Sequence, residues 1–192
     1  MDIILASKSP RRKEILNKIN LNFKTINSNF DESVVIIDHK NPAAYCQKLA
    51  VKKTEIISKQ FSNSFIIGAD TIVYKNNKIL GKPKNKIEAI KHLQMLNNSK
   101  HLVYTGVCLI NKAKNIKKKF VDKTIVHFNN INHEDILYYI DKYRPYDKAG
   151  SYGIQDWSNI FIKKINGCFY NVVGFPLPKF YKLFGSDLNL YK

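Results

Sequence analysis

Residues 2–16, DIILASKSPRRKEIL, run from a short apolar stretch through a polar turn into a segment of mixed character. DIILA reads as a strand buried on both faces, as in a parallel sheet. Ser9 followed by Pro10 marks a helix start, with a hydroxyl at the N-cap and proline at the first helical position. The spacing predicts a helix to about Asn20, with Ile15, Leu16 and Ile19 on its inner face. The turn also holds Arg11 and Arg12, two of the three arginines in the chain (the third is Arg144). Nearly every other basic position is lysine, so guanidinium geometry is wanted at this point.

Outward from this unit, strands and helices alternate. Residues 22–27 alternate like a second strand, and NFDESV at 29–34 forms an acidic loop. Asn41–Pro42 repeats the cap-plus-proline signal and opens a long helix over 42–60. SFIIGADTIVYKNNKIL, 64–80, reads as a strand interrupted by Gly-Ala-Asp, then a turn at Asn76–Asn77. GKPKN is a loop, 86–97 a helix, and 101–111 and 118–128 are β-rich stretches joined by a lysine-rich turn. Asn132 with Asp135 caps a helix over 133–143 in capping-box fashion. YRPYDKAGSYGIQDW, 143–157, is a polar loop. IFIKKINGCFYNVVGFPL, 160–177, is expected to form a hairpin around Asn166–Gly167, a favoured turn dipeptide, before a short closing helix. The pattern predicts an α/β architecture with a mixed sheet, in one domain over 1–192, without repeat or linker.

Composition narrows the class. A hydrophobic fraction of 44% over 192 residues is ordinary for a soluble globular protein. No apolar run approaches the roughly 20 residues that span a bilayer. The run Ile3–Ala6 is too short for a secretory signal, which makes the cytoplasm the expected location. Cys46, Cys108 and Cys168 make neither a disulfide framework nor a C-x-x-C pair, and read as core-filling thiols. The five histidines show no zinc-ligand spacing. The formal net charge of +17 invites a nucleic-acid reading. Against it, the lysines are spread along the whole chain, and abundant Asn, Ile and Tyr point to an AT-rich genome as their source. The charge still attracts anionic small molecules.

Four places carry candidate chemistry. The helix start after the first strand offers unpaired N–H groups, the hydroxyls of Ser7 and Ser9, and two guanidiniums, which grip phosphate oxygens in a way lysine cannot. Asp70 lies inside an apolar strand, where carboxylates are almost never buried without a partner. Gly68 beside it permits close approach of ligand or backbone, and Asp31 and Glu32 supply further carboxylates with which phosphates usually hold Mg²⁺. Lys53 falls in line with the apolar stripe of its helix, so its stem can snorkel and its ammonium reach a cleft. Lys82, before Pro83, is a weaker case of the same kind. In DKAGSYGIQ, 147–155, Gln155 offers a donor and an acceptor together, the pairing that reads a base edge.

Taken together, ILASKSPRRKEIL, IIGADTIVY, GKP, YTGV, DKAGSYGIQ and NVVGFPL resemble the Maf family, also called septum-formation or nucleotide pyrophosphatase proteins, over nearly the whole chain. The resemblance implies an elongated α/β fold with a cleft between two lobes, similar to inosine triphosphate pyrophosphatases. It implies hydrolysis of a nucleoside triphosphate to the monophosphate and pyrophosphate with a divalent metal, Mg²⁺ or Mn²⁺. By the same resemblance Ser7, Arg11 and Arg12 bind phosphate, Glu32 is the acidic loop residue, Lys53 and Lys82 are cleft lysines, and Asp70 is the catalytic base. Glu32 and Asp70 are the metal ligands in this reading. Arg11, Thr71 and Gln155 match the branch acting on dTTP and UTP. Ser151 stands where alanine or glycine is usual, and Asp156–Trp157 replaces a small, Gly-rich follow-on. A homodimer is compatible with the resemblance, and a membrane or nucleic-acid partner is not expected. The rival from another class is a basic nucleic-acid- or partner-binding protein that restrains division by contact.

Overall fold

The computed structural model describes residues 1–190. Seven strands form one mixed sheet in the order β2-β1-β3-β5-β6-β7, with β4 paired to β3. They are β1 (Ile3–Leu5), β2 (Lys24–Thr25), β3 (Phe65–Lys75), β4 (Lys78–Leu80), β5 (Lys100–Asn111), β6 (Ile116–Phe128) and β7 (Ile162–Asn166). The helices are α1 (Pro10–Asn17), α2 (Pro42–Gln60), α3 (Lys86–Leu96), α4 (His133–Tyr143), α5 (Phe169–Val173) and α6 (Leu177–Phe184). β1 runs parallel to both β2 and β3, as its doubly buried pattern requires, and the remaining pairings are antiparallel. No helix among the described residues is long and apolar enough to cross a membrane.

The feature that positions the site is a gap. One edge of β3 pairs with β5 from Ile66 to Tyr74. The opposite edge is taken by β1 at residues 65–67 and by β4 at residues 73–75. Among the described residues, 68–72 therefore have no strand partner on that side. Two lobes grow from the two halves of β3. Phe65 and Ile67 join a core with α1 and α6, including Ile15, Leu16, Phe180 and Phe184. Val73 joins a second core with α3 and α4, including Leu93, Leu96, Ile136 and Tyr139.

Helix α2 lies across β3 and β5, and two glycines admit it. A Cβ at Gly68 would run into Thr54 Oγ1 and come within 3.0 Å of the Ala50 carbonyl. A Cβ at Gly106, opposite Asp70 on β5, would meet Gln47 Cα at 2.8 Å and the Cys46 carbonyl at 2.9 Å. Gly68 is thus bare for the sake of α2, to admit the Thr54 side chain first and the Ala50 carbonyl next.

Several sequence expectations change: α1 ends at Asn17 and not near Asn20, and β3 runs through Gly-Ala-Asp without interruption because β5 pairs with it across those residues. The segment 160–177 is not a hairpin: β7 ends at Asn166, and after Gly167 the chain turns into α5. Asn166–Gly167 does form a turn, but α5 caps the end of the sheet because Cys168 ties to Thr124 of β6 in both directions, at 3.1 and 3.2 Å. The second strand contracts to Lys24–Thr25, since only those two residues pair with β1. The strand after the lysine-rich turn starts earlier than 118, at Ile116, and takes in Lys117.

Overpacking a rigid backbone contact typically costs about 1–3 kcal/mol. Gly106→Ala is accordingly expected to lower unfolding free energy by about 2 kcal/mol in urea titration, with helical content retained. An unchanged midpoint would mean that α2 does not need this bare surface.

Candidate active site

All nine residues singled out from the sequence as site residues line one cleft of about 1120 Å³: Ser7, Arg11, Arg12, Glu32, Lys53, Asp70, Thr71, Lys82 and Gln155. The cleft opens at the gap in β3. Adjacent strand residues point to opposite faces of the sheet, so Asp70 faces α2 while Thr71 faces the turn after α5.

On the first face, the stem of Lys53 runs along α2 and its ammonium reaches both Asp70 Oδ1, at 2.5 Å, and Glu32 Oε1, at 2.7 Å. Asp70 is 6% exposed. Burial pushes its carboxyl above the ordinary range, Lys53 pulls it back, and Glu32 adds to the rise. Burial opposes the charge on Lys53, but Asp70 and Glu32 outweigh it and hold the ammonium protonated. Asp31 is spent locally: its carboxylate caps the short turn at Glu32–Val34, accepting from Ser33 N at 2.9 Å. Of the two acidic loop residues, Glu32 is the one that enters the cleft.

On the other face, Arg12 donates through Nε to the Gly174 carbonyl at 2.9 Å, through Nη1 to Ser7 Oγ at 3.2 Å, and through Nη2 to Thr71 Oγ1 at 3.1 Å. Every one of these acceptors is uncharged. Burial pushes the guanidinium below its usual pKa, and the nearby Asp70 opposes this. Arg11 is held differently, by Asp147, with Nη1 at 2.6 Å from Oδ2 and Nη2 at 3.4 Å from the backbone carbonyl. Neighbouring arginines therefore have distinct jobs: one keeps its charge available, and the other closes an ion pair between α1 and the 147–155 loop.

The hydroxyl of Ser9 does not cap α1, whereas Asn41, Asn85 and Asn132 cap α2, α3 and α4 through their side chains. Ser7 Oγ instead accepts from Ser9 N at 3.1 Å. The α1 N-terminus thus faces the cleft with its first-turn N–H groups uncapped by side chains. Lys82 and Gln155 line the same space, and neither side chain has a hydrogen-bond or ionic partner among the described residues.

The unusual residues of the 147–157 loop serve its own conformation. Ser151 adopts a positive φ of 65° and is fixed by His92 Nδ1 at 2.9 Å from its Oγ. Asp156 accepts from Tyr139 OH at 3.1 Å, and Trp157 stacks on Tyr139 and Tyr143. Sequence reading missed Asp147 and Lys8, both of which line the cleft, and also Gly174. For Gly174 the signal was present in the block NVVGFPL, whose role only the contact with Arg12 explains.

A mixed sheet split over a buried carboxylate, with a guanidinium across the gap that has no carboxylate partner among the described residues, forms a cleft whose chemistry suits a phosphate-bearing ligand. The chain belongs to the Maf-like protein family, whose model matches residues 2–186. Among its relatives, the dTTP/UTP pyrophosphatase of Clostridium perfringens is 45% identical over 184 residues, covering 95% of each chain. Those of Geobacillus sp. and Thermosipho melanesiensis are 43% and 44% identical, covering 92% and 95% of this chain and 93% and 96% of theirs. Among solved structures, the Ham1 proteins of Staphylococcus aureus and Coxiella burnetii align over 67% of this chain and 72% and 73% of theirs. Their TM-scores are 0.43 and 0.42, at 13% and 14% identity.

Asp147 gives the site a pH signature. Burial works to raise its pKa, but the hydrogen bonds from Arg11 and Lys148 dominate and bring it from 3.8 to about 2. Its folded pKa lies below the unfolded one, so its contribution to stability is present above pH ~4 and is lost as pH falls toward ~2. Thermal midpoints measured from pH 5 down to pH 2.5 are expected to fall less steeply for Asp147→Asn than for the native protein. Parallel curves would show that Arg11 does not hold this carboxylate.

Proposed function

We propose that this chain is a nucleoside triphosphate pyrophosphatase acting on dTTP and UTP, releasing the monophosphate and pyrophosphate. The observation that carries the reading is Asp70, a buried carboxylate in the sheet gap. Lys53 flanks it on one face, and on the other stands a guanidinium without a carboxylate partner. The relatives' names support the same substrates.

In this reading the triphosphate lies along the α1 N-terminus, contacted by Ser7, Arg12 and Lys82. Asp70 orients a water toward the α-phosphorus and takes its proton, and a raised carboxyl pKa makes it a better base for that task. The new P–O bond forms as the bond to the α,β-bridging oxygen breaks, and pyrophosphate leaves with its charge balanced by Arg12 and Lys82. Gln155, Thr71 and Arg11 bear on which nucleotide is accepted. The residues present also fit a divalent cation, Mg²⁺ or Mn²⁺. Glu32 and Asp70 converge on a single ammonium, so they can share one cation. Among the described residues no cluster of three or more His, Cys, Asp or Glu could hold a metal, so substrate phosphates belong to the donor set. When bound, such an ion neutralises phosphate charge. In this reading the enzyme works in the cytoplasm and residues 1–192 act as one domain.

The test is pyrophosphate release from dTTP, UTP, CTP and GTP in Mg²⁺ or Mn²⁺. Release from dTTP and UTP, falling by on the order of 10²–10³ in Asp70→Asn, is expected from the loss of one preorganised group. No release from any nucleotide, with binding to duplex DNA that weakens steeply with salt, would favour the contact-acting rival. Lys53→Met supplies a finer check. Removing the cation that pulls Asp70 back raises its pKa further, so the acid limb of the rate profile should move to higher pH. A limb that stays in place, or moves to lower pH, would remove Asp70 from the role of base.

A further inference from the structure

Behind the cleft lie three polar residues with 0% exposure: Thr105 on β5, Thr124 on β6 and Asn171 in α5. Their hydrogen bonds lead to Arg12 along two routes. On the first, Thr105 Oγ1 lies 3.0 Å from the Asn171 backbone carbonyl and 3.0 Å from Thr71 Oγ1, which in turn lies 3.1 Å from Arg12 Nη2. A carbonyl can only accept, and a hydroxyl has one proton. Thr105 therefore gives its proton to Asn171, and its oxygen receives the proton of Thr71. Thr71, its proton spent, presents only lone pairs to the guanidinium. The alternative partner for the Thr71 proton, the Gly174 carbonyl, is farther away at 3.4 Å.

On the second route, Asn171 Nδ2 donates to Thr124 Oγ1 at 2.9 Å and to the Val103 carbonyl at 3.1 Å. These bonds fix α5 against the sheet. The next residue after α5, Gly174, has a φ of 120° and turns its carbonyl to Arg12 Nε at 2.9 Å. Both routes end on one guanidinium. With Ser7 on Nη1, three of its five N–H groups are held, and one on each terminal nitrogen is left over.

We infer that Thr71, Thr105 and Asn171 are positioning residues that act through Arg12, a proton-ordered chain that fixes the plane of its guanidinium and leaves two N–H groups for a substrate phosphate. The inference rests on the reading of Arg12 as a phosphate contact. It also assigns Thr71 an indirect part in nucleotide choice, because its hydroxyl has no proton left to offer a base.

The experiment is a double-mutant cycle on pyrophosphate release from dTTP, combining Thr105→Val with Arg12→Ala. Thr105→Val keeps the shape and interrupts the chain. It is expected to lower kcat about tenfold with little change in KM, since a hydrogen bond supporting a charged group is lost. In the Arg12→Ala background the same substitution is expected to cost less than about twofold, because the group it positions is gone. Thr105→Ser restores the hydroxyl and is expected to return activity to within about twofold of native. Equal losses in both backgrounds, or native activity in Thr105→Val, would overturn the inference and leave the reading of Arg12 standing. Native activity in Arg12→Ala would instead overturn that reading. If Thr105→Val melts early, Thr71→Val interrupts the same chain at a half-buried position and takes its place in the cycle with the same expectations.

Discussion

The seat of helix α2 on bare strand is the constraint from which the site follows. Gly68 and Gly106 let the helix backbone approach β3 and β5 more closely than any side chain would permit. At that distance Cys46 Sγ reaches the Asp70 carbonyl at 3.1 Å and accepts from Gly106 N at 3.1 Å. About two turns on, the Lys53 ammonium arrives at Asp70. Without that cation Asp70 would be a buried charge with no direct ionic partner, and breaking such a pair typically costs about 3–5 kcal/mol. Helix seat and carboxylate thus stand or fall together.

The sheet gap divides the chemistry between two faces. Asp70 and Thr71 are neighbours in sequence, yet their side chains serve opposite sides of the sheet, one toward Lys53 and one toward Arg12. Because β1 and β4 cover the ends of the β3 edge but not its middle, both sides open into one cleft. A continuous parallel neighbour along β3 would have closed that edge. The glycines and the interrupted pairing are therefore two parts of one device, which brings a helix near on one face and leaves room for a ligand between the lobes.

Much of this was legible in the residues. Ser–Pro and Asn–Pro marked two helix starts, and α2 begins and ends where its pattern indicates. Asp70 stood out because a carboxylate in an apolar strand needs a partner, and Lys53 because it interrupts the apolar stripe of its helix. What stayed hidden depends on long-range contacts. Asp147 reads as one more polar loop residue until the fold brings it to Arg11, 136 positions away. Thr105 and Asn171 look like ordinary strand and turn residues, and their proton order exists only when Thr105 meets both Thr71 and the Asn171 backbone carbonyl. Asn166–Gly167 carries a strong local hairpin signal, which the bonds between Cys168 and Thr124 override by steering the chain into α5.

Charge balance explains why a +17 protein can serve a small anion. Within the cleft the cations Lys8, Arg11, Arg12, Lys53, Lys82 and Lys148 face Glu14, Glu32, Asp70, Asp147 and Asp156. Arg11, Lys53 and Lys148 are committed to carboxylates. Lys8, Arg12 and Lys82 have no carboxylate partner among the described residues. The walls are therefore close to neutral in total but uneven in detail, with free positive charge along the α1 start and on the opposite lip. In the proposed reading, a triphosphate brings more negative charge than three cations cancel, and it brings it next to Glu32 and Asp70. Those two carboxylates would repel the substrate unless a further cation came in with it. Their convergence on one point, marked here by the Lys53 ammonium, is the arrangement such a cation requires.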